Sequence, residues 1–540
     1  MTPNEHNRGP RLLLTGTFKP FAVDNLYSRK ESIPELFHNQ LTHFQGIYSP
    51  RKHYPTYGLH LIAANTPVDA TVLDWPTFPR FLRELDRGYD YVGIGSIVPN
   101  FQKVKRMTEA VRLRSPRTKI VVGGFCATIP RLKELVDADY VCAGEGIGFM
   151  RELLGFPPEF DFVHPDVGDV SVQVLGLPTR SFLPSIVTSL GCNRGCDFCS
   201  PTHFFGRRHV TLIHRGQQIF NEMRRLEKKF GATAFGLVGD DNFLANPTRA
   251  RELRDCLLRS GKPYAFGTFG SADAIAKFEP RELAEMGIDS IWIGRESRFR
   301  PYPKNEGTDL KALIAALGEW GIRVILSSIL LLDEHTPDNI WDDIDEHVAC
   351  RPTFSQFSHL SPAPGTPLWE QMERDGRLLT AIPYEECHAF KQPWFVHPGF
   401  SLAEAERIQQ DAYRRDFYAL GPSLARLIVT TVRGAQNFRK SGSPPLLARA
   451  RQLERRLWFY KSAMYDMELL ADDPGLRGVV RELREAMESM VGRVTSFEKT
   501  VAAGAFVAGS ARRACNRAFG DVLQPRTTVT HYPADWKPAP

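Results

Sequence analysis

Short apolar runs alternate with amphipathic stretches through residues 1–165. Several of the apolar runs end in glycine or an acidic residue, and the stretches between them have helical spacing, as in residues 60–64 and 104–114. Short apolar strands separated by helices predict a parallel sheet with helices on both faces, whose ligands bind at the carboxyl ends of the strands. The predicted strands are residues 12–14, 70–74, 91–96, 119–124 and 140–145.

A second series of strands and helices begins near residue 184. Its six βα units are two short of the eight that close a full TIM barrel, so we predict a partial (β/α)6 barrel over residues 184–395. The helices of this series are predicted near residues 215–230, 247–260, 280–286, 309–320 and 337–350. The strands are predicted at residues 185–189, 235–238, 264–267, 290–293, 324–330 and 354–358.

Two further segments complete the predicted α/β organisation. Several prolines before residue 184 indicate a linker over residues 166–183. After residue 395 the strand signals stop, which predicts a helical region over residues 396–540 with an irregular tail from Arg526. Its predicted helices are residues 402–420, 446–470 and 476–514.

Composition adds little to this picture. The chain has 540 residues and a net charge of +6, a weak excess that suits an anionic cofactor as well as nucleic acid and therefore identifies no partner. The first residues lack the apolar core of a signal peptide, and no apolar run approaches the roughly 18 residues of a membrane span. We therefore expect a soluble cytoplasmic protein with no membrane span.

Nine cysteines are present, and six of them are scattered along the chain. An odd number of cysteines without a signal peptide is evidence against a disulfide framework. Scattered cysteines are usually small buried hydrophobic residues. The six are Cys126, Cys142, Cys256, Cys350, Cys387 and Cys515.

The other three, Cys192, Cys196 and Cys199, fall within eight residues on the loop after the first strand of the second series. Thiolates at such spacing can converge on one soft metal centre. A zinc site would need a fourth ligand, which His203 or His209 could supply. A redox dithiol would use Cys196 and Cys199 and leave Cys192 unexplained, so a metal centre, iron–sulfur or zinc, is the better hypothesis.

The spacing CxxxCxxC, with Phe198 directly before the last cysteine, resembles the motif of the radical S-adenosylmethionine superfamily. The resemblance implies that the three cysteines ligate three irons of a [4Fe–4S] cluster, whereas most such clusters have four cysteine ligands. The open iron would bind S-adenosylmethionine, whose cleavage yields a 5′-deoxyadenosyl radical.

The same resemblance suggests further cofactor contacts in the second series. Asp240 or Asp241 would accept the amino group of S-adenosylmethionine, although either could instead cap the next helix. Glu296 and Ser297 lie in a Gly-x-Glu-Ser element that would contact its ribose or carboxylate, the alternative being an ion pair at the strand end.

A flavodoxin-like sheet ahead of this motif resembles the cobalamin-binding subgroup of the superfamily. No Asp-x-His-x-x-Gly motif is present, so we expect no histidine ligand below the cobalt, and a scaffold that has lost cobalamin remains an alternative. Small residues let the backbone approach a large planar ring. In relatives the corresponding loops line the cobalamin, which implies roles for Gly93, Ser96, Gly123, Gly124, Gly144 and Glu145.

The resemblance thus implies a cobalamin-dependent radical methyltransferase acting on an unactivated carbon of a small molecule, lipid or peptide. Its electron donor would be a flavodoxin or ferredoxin, and no nucleic-acid partner is expected. Radical cyclisation, ring rearrangement or oxidation without methyl transfer is the alternative, and a non-catalytic iron–sulfur electron carrier is a third. Basic and aromatic residues over 451–461 predict a helix packed on the barrel, or else a lid or a basic docking face.

Overall fold

The computed structural model describes residues 9–27, 29, 41–239, 241–520 and 523–538. Two parallel sheets, each with helices packed on it, are followed by a helical carboxy-terminal region. The mixed α/β organisation predicted from the sequence is therefore confirmed. The strands are β1 (Arg11–Thr15), β2 (Arg51–His53), β3 (Asp69–Asp74), β4 (Tyr91–Gly95), β5 (Lys119–Gly123), β6 (Tyr140–Cys142), β7 (Gly168–Val174), β8 (Leu177–Pro184), β9 (Ile186–Val187), β10 (Ser189–Leu190), β11 (Val210–Thr211), β12 (Ala234–Gly239), β13 (Ala265–Phe269), β14 (Ile288–Glu296), β15 (Arg323–Leu330), β16 (Phe354–His359) and β17 (Thr528–Tyr532).

The α-helices of the described residues divide between the sheets and the carboxy-terminal region. Those that accompany the sheets are α1 (Tyr57–Asn65), α2 (Phe78–Leu85), α3 (Phe101–Arg114), α4 (Leu132–Leu135), α5 (Gly146–Leu153), α6 (Ser200–Phe204), α7 (Gly216–Phe230), α8 (Pro247–Ser260), α9 (Ala272–Ile275), α10 (Pro280–Glu285), α11 (Leu310–Glu319), α12 (Ile340–Ala349) and α13 (Pro367–Arg374). The carboxy-terminal helices are α14 (Leu402–Leu420), α15 (Ser423–Lys440), α16 (Pro444–Glu454), α17 (Leu457–Leu470), α18 (Pro474–Val491) and α19 (Ser496–Phe519).

The first sheet has the order β17-β3-β1-β4-β5-β6. Its five amino-terminal strands are parallel and run in the order second, first, third, fourth, fifth, which is the flavodoxin-like order. Neighbouring residues of β1 face opposite cores, because Leu13 packs with α2 and α3 whereas Leu12 and Leu14 pack with α1 and α5. Helices therefore cover both faces of this sheet, as predicted.

The second sheet contains all six predicted strands, in the order β16-β15-β14-β13-β12-β9. Every pair in it is parallel. Fully buried residues such as Ile291, Ile293 and Leu326 lie on one face, against apolar residues of α8 and α11. The other face carries half-buried residues such as Trp292.

Two segments predicted to be irregular are strands. The predicted linker over residues 166–183 contains β7 and β8, an antiparallel hairpin that turns at Leu175 and Gly176 and is joined by β2. The tail predicted to be irregular from Arg526 contains β17, which pairs antiparallel with β3. Prolines near the ends of β7 and β8 suggested a linker, and prolines are tolerated at strand ends. Strand β17 was missed because its partner β3 is remote in the sequence.

The carboxy-terminal helices are shorter and more numerous than predicted. The helix predicted over residues 446–470 is two helices, α16 and α17, and the one predicted over 476–514 is α18 and α19. Helix α15 was not predicted, although α14 has the predicted bounds. Among the described helices, none combines the length and the hydropathy needed to cross a membrane. The predicted domain boundaries stay a prediction.

Candidate cofactor site at the carboxyl ends of the two sheets

The cysteine loop leaves β10 through a glycine that no other residue can replace without strain. Gly191 has a φ of +76°, and a Cβ built on it would lie 2.6 Å from the carbonyl oxygen of Arg208. Further along the loop, the backbone N–H of Cys199 donates to the carbonyl oxygen of Cys196 over 3.2 Å. The loop is thereby held in a compact turn, and none of its three thiols is in a disulfide.

The surroundings of two of these thiols, Cys196 and Cys199, oppose their ionisation. Burial, aided by the charges of Cys199 and Glu296 and opposed by the Lys304 ammonium, raises the pKa of Cys196 to about 11. Burial also raises the pKa of Cys199. Thiolates are the form that binds metal, so a cation at this loop would be needed to hold them deprotonated.

Within the described ranges, no group of three or more histidine, cysteine, aspartate or glutamate side chains is arranged to hold a metal ion. The three thiols are neighbours on one loop but do not form a preassembled ligand set. The chemistry of the donors, three free thiols on one short loop, fits an iron–sulfur cluster. Their role as ligands stays a prediction.

Glu296 and Lys304 form a buried ion pair beside the cysteines. Glu296 ends β14 with a left-handed φ of +63°. Gly294 makes room for the pair, since a Cβ there would lie 2.8 Å from Lys304 Nζ. Burial disfavours the charge of Lys304, but Glu296 together with Cys196 and Cys199 outweighs it, and the pKa of Lys304 is raised. The same Nζ lies 5.9 Å from the ring centre of Phe198.

Replacing Lys304 with methionine is expected to lower the free energy of unfolding by about 3–5 kcal/mol, because it leaves the Glu296 carboxylate buried without its partner. Lys119→Met is the matched control. Lys119 is half exposed, and its partner Asp139 keeps an ion pair with Arg112 over 2.6 Å, so this change should cost at most about 1 kcal/mol. Urea unfolding measures both values, and equal losses would contradict the assigned ion pair.

The other predicted contacts of S-adenosylmethionine are placed differently by the structure. Ser297 is buried, accepts a hydrogen bond from the backbone N–H of Phe299 over 3.0 Å and lies 3.4 Å from His335 Nε2. Asp241 is exposed and near enough to Cys199 to raise the pKa of that thiol. Asp240 lies outside the described residues. A cofactor contact of any of the three stays a prediction.

Sequence reasoning missed Lys304. It lies on the loop after β14, in a Pro-Tyr-Pro-Lys-Asn segment that matches no motif used in the prediction. The adjacent Tyr302 ring packs edge-to-face on Phe198 with centroids 5.3 Å apart. This segment is far from the cysteines in the sequence and gave no signal. The contact of Lys304 with Glu296 and the cysteines depends on how the loop after β14 folds back.

A cavity of about 520 Å³ opens at the carboxyl edge of the first sheet. From the other side it is bounded by Leu190, which ends β10 before the cysteine loop, and by Phe204 and Phe205 at the end of α6 after that loop. Phe204 packs edge-to-face on Phe125 with centroids 4.9 Å apart. The structure therefore brings all the residues predicted to line a cobalamin into one wall, namely Gly93, Ser96, Gly123, Gly124, Gly144 and Glu145.

Glycine is required at different positions of this wall for different structural reasons. A Cβ on Gly93 would lie 2.6 Å from Leu14 Cδ2. Gly124 has a φ of +73°, and a Cβ there would collide with the backbone of Ser96. Glu145 accepts hydrogen bonds from the backbone N–H groups of Ile147 and Gly148 over 2.6 and 2.7 Å. Its carboxylate thus caps α5, and the wall is shaped mainly by backbone and apolar groups.

The predicted linker also supports this cavity. Tyr57 of α1 lines the cavity and donates a hydrogen bond to Asp169 of β7. Burial raises the pKa of Asp169, while the Tyr57 hydroxyl and the charge of Lys52 lower it. The hairpin is therefore part of the structure behind the cavity wall.

The fold is shared with a solved enzyme. The radical S-adenosylmethionine methyltransferase TsrM from Kitasatospora setae, determined with cobalamin and a [4Fe–4S] cluster bound, superposes with a TM-score of 0.51 at 16% identity, over 83% of this chain and all of that one. It has also been determined with its tryptophan substrate and the analogue aza-SAM. The bacteriochlorophyllide d C-12(1)-methyltransferase of Chlorobaculum tepidum is 23% identical to this chain over 374 residues. The chain is a relative of the class B radical S-adenosylmethionine methyltransferases.

Two further methylases extend this relationship. The hopanoid C-3 methylase of Methylococcus capsulatus is 25% identical to this chain. The match covers 67% of this chain and 76% of that protein. The hopanoid C-2 methylase of Rhodopseudomonas palustris is 27% identical, but the match spans only 37% of this chain and 40% of that protein. The bacteriochlorophyllide enzyme is matched over 64% of this chain and 79% of its own length. No protein-family model matches the chain.

Proposed function

We propose that this class B relative transfers a methyl group to an unactivated carbon with the help of a [4Fe–4S] cluster, S-adenosylmethionine and cobalamin. The observation that carries the proposal is the cavity whose wall comes from the predicted cobalamin loops and whose opposite side comes from Leu190, Phe204 and Phe205, the residues that flank the cysteine loop on either side. When bound, the cluster generates a 5′-deoxyadenosyl radical from S-adenosylmethionine, and cobalamin carries the methyl group.

In this proposal Cys192, Cys196 and Cys199 hold the cluster and leave one iron open. Lys304 places a positive charge beside Cys196 and Cys199, which favours their thiolate forms. We propose that Asp241, exposed beside Cys199, accepts the ammonium group of S-adenosylmethionine, and Asp240 is proposed for the same role. Glu296 is paired with Lys304, so we assign it a positioning role. Ser297, whose hydroxyl lies 3.4 Å from His335 Nε2, is proposed as a contact of the cofactor.

The chain's part in cobalamin binding is to hold a preformed apolar cavity. Gly93, Gly123, Gly124 and Gly144 bring the backbone to the surface of the cavity, while Ser96 adds a hydroxyl. Glu145 fixes the last of these loops by capping α5. A rigid wall of this kind orients a large planar group and keeps water away from it.

The open face of the second sheet offers a surface for the methyl acceptor. Phe269 and Trp292 stack there, with ring centroids 5.3 Å apart and planes 19° from parallel. Trp292 Nε1 donates to Ser327 Oγ over 2.5 Å, and that hydroxyl donates to Gln356 Oε1 over 2.6 Å. An aromatic platform held by hydrogen bonds suits a small molecule of low polarity.

Three finer predictions accompany the function. We propose that the second sheet curves into a partial (β/α)6 barrel around this platform and the cysteine loop. We also propose the division into residues 1–165, 166–183, 184–395 and 396–540, with the hairpin as an ordered second segment. A flavodoxin or ferredoxin is the proposed electron donor.

The test is an anaerobic assay of the full chain reconstituted with iron, sulfide and cobalamin. With reductant, S-adenosylmethionine and cell extract as the source of the acceptor, methyl transfer should give 5′-deoxyadenosine and S-adenosylhomocysteine in about equal amounts. 5′-Deoxyadenosine without S-adenosylhomocysteine would overturn methyl transfer in favour of cyclisation, rearrangement or oxidation. If neither 5′-deoxyadenosine nor S-adenosylhomocysteine forms, the radical function is overturned and the electron carrier is favoured.

A further inference from the structure

Helix α19 presents an apolar face that nothing in the described structure covers. At 3.6 residues per turn, Phe497, Val507 and Phe519 fall within an arc of about 120° on this 24-residue helix. Their side chains are 65%, 67% and 89% exposed. The remaining positions on that arc are small or apolar apart from one threonine, and none carries a charge. We call this arc the apolar face of α19.

Trp458, Phe459 and Phe497 form a cluster, here called the aromatic tip, that continues the apolar face at the start of α19. Trp458 of α17 packs against Phe497 with ring centroids 6.4 Å apart and against Phe459 with centroids 6.1 Å apart. Trp458 and Phe459 are 45% and 41% exposed. Soluble proteins rarely expose contiguous apolar surface of this extent unless it contacts a partner or a membrane.

The charges around this surface are basic. Arg455, Arg456, Arg493 and Lys499 are all exposed next to the aromatic tip. Acids also lie nearby, and each has a basic partner. Glu498 is buried with Lys461 Nζ 3.1 Å away, and Glu454 lies 2.8 Å from Arg439 Nε. Glu488 and the exposed Glu485 line a surface pocket with Arg493 and Lys499 and lie 2.5 and 3.8 Å from nitrogens of Arg484, so they offset part of the basic charge.

Helix α19 also carries more basic than acidic residues along its length. It carries four basic residues, and its one acidic residue is Glu498, which is neutralised by Lys461. Two copies of this chain meeting through α19 would bring these basic flanks together, which opposes a dimer. An anionic surface would be attracted by them.

We propose that α19 and the aromatic tip bind the surface of an anionic lipid bilayer. Helices with one apolar face carrying aromatic residues and basic residues at its borders lie in the plane of the headgroups, with the apolar face inserted. Tryptophan and phenylalanine at the tip would sit at the boundary between headgroups and acyl chains. The basic residues would contact the lipid phosphates. No helix needs to cross the bilayer for this contact.

The experiment is co-sedimentation of the full chain with vesicles, without cofactors, so that its outcome is independent of methyl transfer. The wild-type protein should bind vesicles made of phosphatidylglycerol and phosphatidylcholine. It should bind much more weakly to vesicles of phosphatidylcholine alone, and more weakly at high salt, where the charges are screened. The double variant Phe497→Ser/Val507→Ser should bind at least about tenfold more weakly, a loss of about 1.4 kcal/mol.

Leu113→Ser is the matched control, since Leu113 is 81% exposed on α3 in the first domain and its replacement should leave binding unchanged. Thermal unfolding of all three proteins checks that each is folded. No binding of the wild type to anionic vesicles, or equal binding by the double variant, would overturn the proposal. A dimer in solution that the double variant dissociates, without vesicle binding, would assign the face to a second copy instead.

Discussion

Replacing Cys199 with alanine is expected to reduce S-adenosylmethionine cleavage to background, a loss of more than about 100-fold, and to lower the iron bound per chain. Loss of a group that only supports a metal ligand typically costs 10–100-fold, and loss of a ligand itself should cost more. The remaining two cysteines cannot hold three irons. Iron analysis after anaerobic reconstitution and quantification of 5′-deoxyadenosine measure the two effects.

Cys256→Ala is the matched control for this change. Cys256 is buried on α8, where its thiol lies 3.2 Å from Gln217 Oε1, away from the cysteine loop. This variant should bind iron and cleave S-adenosylmethionine as the wild type does. A Cys199→Ala protein that retains both properties would show that the cluster is not held by this loop. Bound zinc in place of iron would favour the zinc hypothesis with His203 or His209.

Replacing Gly124 with alanine is expected to lower the free energy of unfolding by about 2–5 kcal/mol and to release cobalamin. Part of the loss, about 1–3 kcal/mol, is the cost of a backbone conformation (φ +73°, ψ −173°) that residues with a Cβ rarely adopt. The rest arises because the new methyl group would lie 2.9 Å from the backbone nitrogen of Ser96 and closer still to its carbonyl oxygen. Relief of that clash would move a loop that lines the cavity.

Gly88→Ala separates these two contributions. Gly88 has the same φ of +73°, but a Cβ there has nothing within 4 Å. We expect this variant to lose only the conformational part and to keep cobalamin. Urea unfolding and the absorbance of cobalamin retained after gel filtration measure both proteins. If the two variants were equally destabilised and retained cobalamin equally, the steric role of Gly124 would be wrong.

Most of the fold that positions the site could be predicted from local patterns. The apolar runs around Leu13 and Val92 identify strands by themselves, because buried parallel strands are continuously apolar. The alternation of such runs with helices then predicts parallel sheets. The cysteine spacing and the glycine loops were recognised in the same way, since each is a short segment whose residues are adjacent in the sequence.

Several unpredicted features depend on contacts between remote segments. Strand β17 pairs Thr530 with Val72, more than 450 residues earlier, and its sequence alone does not reveal such a partner. Lys304 acquires its role only because its loop returns to Glu296 and the cysteines. The exposed face of α19 is apolar enough to suggest burial, and only the packed structure leaves it uncovered.

By itself the sequence determined the chemistry that the chain can support. Three thiols at CxxxCxxC spacing and small residues after parallel strands are local properties that persist in any compact arrangement of these segments. Only the tertiary structure decided that the glycine loops and the residues flanking the cysteine loop line one cavity, that Glu145 is a helix cap and that Lys304 lies beside the thiols. The physical reason is that burial, ion pairing and cavity shape arise between segments, whereas motifs arise within them.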